Sequence, residues 1–376
     1  MSSSTTTATT PVVEAVYGEP LDGAPVVRVP TDLAPLLAEA HRRVRGREAG
    51  VHAGDGVVTD PSGKRLQPTP AVDRWQPPSD DVVALLAGAT RPVVLAGPGV
   101  VRESAVPGLH ALAAAGSLGV LNTWGAKGIF DWRSRHHLAT AGLQARDFEL
   151  GGLAEADLII ATGLDEQEAA APWRLAPVVE VSPCSLGPLA ERWGRPPTDI
   201  EVPRLRAGLA GVTQAGWATT GAPLAPTKVT QHYGQLLGGG GLVVADPGTA
   251  GFWVARTLAT TGIGGVIVPA APDARGFALA SAIVSGRFDP TRPVLAVLDG
   301  LDDQAERLLE VAASLSLRVA VEVWRDDAAP LDADGHRDRL AALLADGGIA
   351  SVATDPSQLD EMIDVAGPVV AWRQPA

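Results

Sequence analysis

From residue 80 onward, short apolar runs alternate with amphipathic stretches. Residues 92–96 (PVVLA), 158–161 (LIIA) and 178–181 (VVEV) are apolar at nearly every position, the pattern of strands covered on both faces of a parallel sheet. Residues 101–115 and 151–156 read as helices between them. The same grammar returns after a glycine run at 238–241. It predicts strands at 242–245 (LVVA), 294–298 (VLAVL), 319–323 (VAVEV) and 369–372 (VVAW), with helices at 277–285, 302–314, 336–345 and 357–365. The expected fold class is α/β, with two doubly wound parallel-sheet (Rossmann-like) domains preceded by an irregular N-terminal segment. A Pro/Gly-rich stretch at 211–226 divides the two, giving expected units of 1–78, 79–225 and 226–376. Within the first unit, residues 24–30 (APVVRVP) read as one strand. Residues 32–45 read as a helix with Leu33, Leu36, Leu37 and His41 on one face, and 50–79 as a linker.

Composition narrows the function classes. The chain has 376 residues, 46% apolar and 19% charged, which is globular. A formal net charge of −13 argues against a sequence-independent grip on nucleic acid or on an anionic membrane surface. No apolar run approaches the ~18 residues of a membrane span, and Met1 to Thr10 lack the charge and apolar core of a secretory signal. The single cysteine, Cys184, excludes a disulfide framework within the chain, so a reducing cytoplasm is expected. Three lysines against 27 arginines suggest a GC-rich bacterial genome.

Few residues carry an obvious chemistry. Gly97 and Gly99 follow a strand, where a glycine turn lets a phosphate approach backbone N–H groups. The third glycine of a dinucleotide fingerprint is replaced by Arg102, and a plain strand–helix turn accounts for the pattern equally well. His136 and His137, being neighbours, diverge too far to chelate one metal and read as surface or partly buried histidines. Cys184 reads as a buried small residue. The clusters Asp165-Glu166-Glu168 and Asp302-Asp303 read as solvated helix starts. Asp299 and Asp326 end two successive expected strands. If those strands are adjacent, the carboxylates could share a divalent cation, the alternative being ordinary helix caps.

The order of these residues resembles a known family. Arg91 to Val100 (RPVVLAGPGV), Leu121 to Phe130 (LNTWGAKGIF) and Ala156 to Gly163 (ADLIIATG) are similar to the central domain of thiamine-diphosphate enzymes of the acetolactate synthase, oxalyl-CoA decarboxylase and 2-hydroxyacyl-CoA lyase group. Val244 to Gly248 with Trp253, Gly276 to Ala280, Val294 to Gly300 and Gly367 to Val370 resemble the family's diphosphate-binding domain. The resemblance implies thiamine diphosphate and Mg²⁺ as cofactors, with Asp299 and Asp326 as metal positions and Arg275 and Gly300 at the cofactor. It further implies ADP, FAD or CoA on the central domain near Gly97, Gly99, Thr123 and Gly163.

Departures from the family pattern shape the functional expectation. Leu298 stands where the first glycine of Gly-Asp-Gly belongs, Arg325 and Asp326 where an Asn-Asn pair belongs, and Arg275 near the apolar prop of the cofactor. Arg275 and Arg325 are expected to pair with Asp299 and Asp326 in place of magnesium. Only 78 residues precede the central unit; Ala24 to Asp32 (APVVRVPTD) resemble the final strand and exit of the family's pyrimidine-binding domain, and the rest of that domain, with its glutamate, is expected to be absent. No catalytic residue is assigned. The expected role is a structural or regulatory subunit of a heteromeric lyase or carboligase. Its partner would be a second thiamine-diphosphate-enzyme chain carrying the pyrimidine-binding domain, with homo-oligomerisation the other possible association. A stand-alone nucleotide-binding protein and a catalytically dead homologue are the alternatives.

Overall fold

The computed structural model describes residues 12–14, 28–30, 33–48, 58–59, 65–66, 79–262 and 264–372. Much of the expected N-terminal tail and linker therefore lies outside the described residues. What is described there is β1 (Val12–Glu14) antiparallel to β2 (Arg28–Pro30), α1 (Ala34–Glu48), and a second antiparallel pair, β3 (Val58–Thr59) with β4 (Arg65–Leu66). The expected helical face is present: Leu33, Leu37, Ala40 and Val44 are buried, and Leu36 packs beside them.

The first sheet is built from α2 (Asp80–Gly88), β5 (Pro92–Ala96), α3 (Gly99–Arg102), α4 (Val106–Gly116), β6 (Gly119–Thr123), β7 (His137–Ala141), β8 (Leu158–Thr162), β9 (Val178–Glu180) and α5 (Leu186–Arg192). Its strands are all parallel, in the order β7-β6-β5-β8-β9. The helix expected over 101–115 is broken into α3 and α4, because Ser104 takes a left-handed conformation (φ 54°) between them. The helix expected over 151–156 is a single π turn at Glu149–Leu153, interrupted by Gly152 at φ 103°.

The second sheet follows α6 (Arg204–Trp217) and α7 (Pro226–Leu237). It comprises β10 (Leu242–Ala245), α8 (Thr249–Thr257), β11 (Val266–Ile267), α9 (Phe277–Phe288), β12 (Val294–Leu298), α10 (Asp303–Ser314), β13 (Ala320–Trp324), α11 (Ala333–Asp346), β14 (Gly348–Val352) and α12 (Gln358–Ala366). Its order is β11-β10-β12-β13-β14, again all parallel. Two expectations are corrected here. Residues 369–372 form no strand; Val369 makes one bridge to Gln144, and the last strand is β14. Residues 211–217, expected in a dividing linker, are the second half of α6.

The two halves share packing. Trp124 and Leu143 of the first half sit in the apolar core that β10, β12, α7 and α8 build in the second. Trp124 Nε1 and Trp372 Nε1 both donate to the Pro269 carbonyl, at 3.4 and 2.8 Å. Gln144 Nε2 donates to the carbonyls of Met362 (2.8 Å) and Gly367 (2.6 Å). Arg256 of α8 forms a wholly buried ion pair with Asp147 (2.6 Å) and donates to the Thr140 carbonyl (2.8 Å). Among the described residues, no helix is long and apolar enough to cross a membrane.

Candidate functional site

In an open parallel sheet, ligands bind beyond the carboxyl ends of the strands where the strand order reverses. In the first sheet that point lies between β5 and β8, and three of the expected cofactor residues meet there. Gly97 donates its N–H to the Thr162 carbonyl (2.9 Å), and Gly99 donates to the Gly163 carbonyl (2.8 Å). A Cβ on Gly97 would lie 2.3 Å from the Gly163 oxygen, and one on Gly99 2.6 Å from the Gly163 Cα. The close approach these glycines permit is therefore that of the chain's own Gly163, and the N–H groups of Gly97 and Gly99 are spent on the carbonyls of Thr162 and Gly163. Across the same point Arg102 holds Asp165 through two bonds of 2.7 Å. Thr123, at the end of β6, lies beside Glu168.

Glu168 corrects an expectation: it is fully buried, not at a solvated helix start. Its carboxyl accepts the Gly125 N–H (2.9 Å), and a side chain at Gly125 would overlap it. Burial pushes Glu168 up to about 7, against the Thr123 hydroxyl and the Gly125 N–H. Cys184 is half-buried, with its sulfur 3.1 Å from the Ser182 hydroxyl.

In the second sheet the reversal lies between β10 and β12. Asp246 ends β10, and its carboxylate accepts the N–H groups of Gly276 and Ala278, both at 2.7 Å, at the start of α9. Asp299 ends β12 and accepts the N–H groups of Thr249 (2.6 Å) and Ala250 (2.7 Å) at the start of α8. Two helix N-termini thus converge on the crevice, each already carrying a carboxylate. Gly248 (φ 134°) makes room for this, since a Cβ there would lie 1.9 Å from Asp299 Oδ2. Burial, with Asp299 and Asp302 nearby, pushes Asp246 up to about 7, although its two N–H donors oppose the shift. Burial also raises Asp299, against its N–H donors and the charge of Arg275.

The strands preceding Asp299 and Asp326 are adjacent, with Leu298 opposite Val323. Both oxygens of Asp299 nonetheless turn to α8, on the β10 side, while Asp326 is exposed beyond β13. Among the described residues, no group of three His, Cys, Asp or Glu is placed to hold a metal ion. The expected pairing of Arg325 with Asp299 or Asp326 is corrected: Arg325 bonds Asp327, at 2.8 and 2.7 Å, because the guanidinium reaches its i+2 neighbour in the exposed turn. Arg275 is exposed, and Gly300 has open space around its α-carbon.

A buried polar chain on this half was not foreseen. Trp324 Nε1 donates to the Tyr233 hydroxyl (2.9 Å), which donates to Glu322. His336 Nε2 donates to Glu322 (3.1 Å), which leaves His336 Nδ1 to accept from His232 Nδ1 (2.7 Å). Burial first, with the positive charges of Lys228 and Arg337 adding to it, pushes His232 down to about 4. These residues are scattered through the sequence, and only the odd polar letter in each apolar run hinted at them.

Residues 79–185 match the family model of the thiamine pyrophosphate enzyme central domain. The matched stretch takes in the strands and helices of the first sheet as far as the start of α5, and a second parallel α/β sheet, outside the match, follows it. The family's cofactor can be tested against that second sheet. A diphosphate at its switch point needs N–H donors and a cation, but two N–H groups at the start of α8 and two at the start of α9 are taken by Asp299 and Asp246. The donor set does not fit the cofactor.

Proposed function

We propose that this chain is a non-catalytic subunit of a heteromeric thiamine-diphosphate-dependent lyase or carboligase. In this reading a partner chain supplies the pyrimidine-binding domain, its glutamate and the working cofactor site, with any Mg²⁺ held there. The observation that carries the reading is the pair of capped helices. Where a cofactor-binding half offers helix N-termini to a diphosphate, this chain fills both with its own carboxylates. An anion entering there would also meet the carboxylates of Asp246, which is buried, and Asp299, which is exposed, and like charges repel.

The test is calorimetric titration of the full chain with thiamine diphosphate and Mg²⁺, beside a turnover assay with pyruvate. The expected result is no saturable heat and no decarboxylation or carboligation above a cofactor-free blank. Co-expression with a thiamine-diphosphate-enzyme chain that carries a pyrimidine-binding domain is expected to give a stable complex by size-exclusion chromatography. Micromolar binding that disappears in Asp299→Ala would overturn the reading.

A further inference from the structure

β14 is the outermost strand of the second sheet, and its register leaves one side of its backbone bare. Gly348 donates its N–H to the Val319 carbonyl (2.8 Å), and the Val352 carbonyl accepts the Arg325 N–H (2.9 Å). Along a parallel strand, the residues that bond one neighbour alternate with residues that face the other way. Gly348, Ala350 and Val352 therefore face β13, while Ile349 and Ser351 turn their N–H and C=O groups outward. Among the described residues, no backbone group bonds those of Ile349 and Ser351. Further along the same alternation, Asp355 gives its N–H to the Leu224 carbonyl (2.8 Å), which closes the edge there. The open stretch is Gly348–Val352.

The other edges of the two five-stranded sheets are guarded, as a monomer's edges need to be. On β7, Arg206 and Arg256 bond the carbonyls of His137 and Thr140. β9 has three residues, with Pro177 before it and the exposed Glu180 at its end. β11 has two residues, and Pro269 follows it. β14 has five, and residues 347–353 (GGIASVA) hold no proline and no charge. Ile349 stands 48% exposed, in register with Val321 on the face that α9 and α10 cover further in. An unguarded edge that also carries an exposed apolar side chain is a template for another strand.

The groups on offer complement themselves. Ile349 and Ser351 flank Ala350, so a twofold axis at Ala350 sets each Ile349 opposite Ser351 of a second copy. Each such antiparallel pair exchanges two N–H···O bonds, four in all, and every outward N–H of the open stretch finds an acceptor. The two Ile349 side chains become diagonal neighbours, about 7–8 Å apart, and bury each other. With no charge in residues 347–353, the strands bring no like charges together, despite a net charge of −13. We infer that β14 joins two copies of this chain edge to edge, so that their second sheets run on as one across a twofold axis. This pairing does not rest on the proposed subunit role, and it is read on the chain alone.

The test is sedimentation velocity of the full chain from about 1 to about 100 μM, because a short edge pairing belongs among the small, weaker interfaces. The wild type is expected to pass from monomer to dimer across that range. Ile349→Lys sets a charge on the edge and is expected to stay monomeric throughout, with an unchanged melting temperature. Val202→Lys, at an exposed apolar position outside β14, is expected to leave the dimer intact. Oxidative cross-linking reads the register. Ala350→Cys meets its own counterpart at about 4.5 Å between α-carbons and is expected to cross-link, whereas the Ser351→Cys pair lies beyond disulfide reach. A wild type that stays monomeric at about 100 μM, or a dimer that Ile349→Lys retains, overturns the proposal. So does an Ala350→Cys chain that cross-links no faster than Ser351→Cys, and that comparison decides if Ile349→Lys fails to fold.

Discussion

Replacing Arg256 with methionine tests how the halves are joined. The substitution keeps the length of the aliphatic stem and removes three hydrogen bonds: 2.8 Å to the Thr140 carbonyl, and 2.8 and 2.6 Å to Asp147. It leaves the Asp147 carboxylate fully buried with only the N–H groups of Leu143 and Gln144. Orphaning one partner of a buried ion pair costs about 3–5 kcal/mol, several times an exposed pair. The cost depends on pH in a defined sense. Burial already raises Asp147, and Arg256 is the strongest influence holding it down. Without the guanidinium the folded-state pKa rises further above the unfolded value, so the folded variant binds the extra proton. Its stability therefore falls as pH climbs from about 4 through that raised pKa, and the gap to wild type widens from pH 5 to pH 8. Guanidinium denaturation followed by tryptophan fluorescence at both pH values measures this. Adding Asp147→Asn is expected to recover part of the loss at pH 8 but little at pH 5. A loss below about 1 kcal/mol at pH 8, or one equal at both pH values, refutes the reasoning.

Three further outcomes are expected. Gly97→Ala, which sets a methyl against the Gly163 carbonyl, is expected to cost about 1–3 kcal/mol in thermal or chemical melts, whereas Gly300→Ala, with open space, leaves stability unchanged. Because His232 titrates near 4 when folded and near 6.5 when unfolded, it makes stability fall as pH drops from about 6.5 to 4. Glu168, raised to about 7, makes stability fall as pH rises from about 4.5 to 7. His232→Gln and Glu168→Gln should each flatten its own limb of a pH–stability profile. Asp299→Ala strips the two N–H acceptors from the start of α8 and is expected to cost about 1–2 kcal/mol, read by chemical denaturation; no change would mean that the cap is not formed in solution.

The sequence showed the central strands and hid the edges. β5, β8, β10 and β12 are covered on both faces, so each appears as an unbroken apolar run. β14 lies at a sheet edge with Gly348 and Ile349 exposed, and GIASV carries no such run. Residues 369–372 are apolar for another reason: Val369 and Trp372 pack against the core around Trp124. The strand-end position of Asp299 was readable from the letters. Its commitment to α8 was not, because the helix it caps begins 50 residues earlier. Glu168 was misread as solvated for a general reason: a charged residue looks the same in sequence whether water or packed protein surrounds it.

Trp124 has a consequence for how the molecule comes apart. Its indole is 1% exposed, set among side chains that belong to the second sheet. An aromatic of this kind hides roughly 150–250 Å² of surface. Pulling the halves apart would bare that surface and strand Arg256 from Asp147 in one event. Neither half can loosen without presenting the other with water where it had hydrocarbon. The molecule should melt as one cooperative block rather than as two beads on a string. A protease nick between α6 and α7 would then release no free fragments, leaving two pieces still clasped until the whole block unfolds.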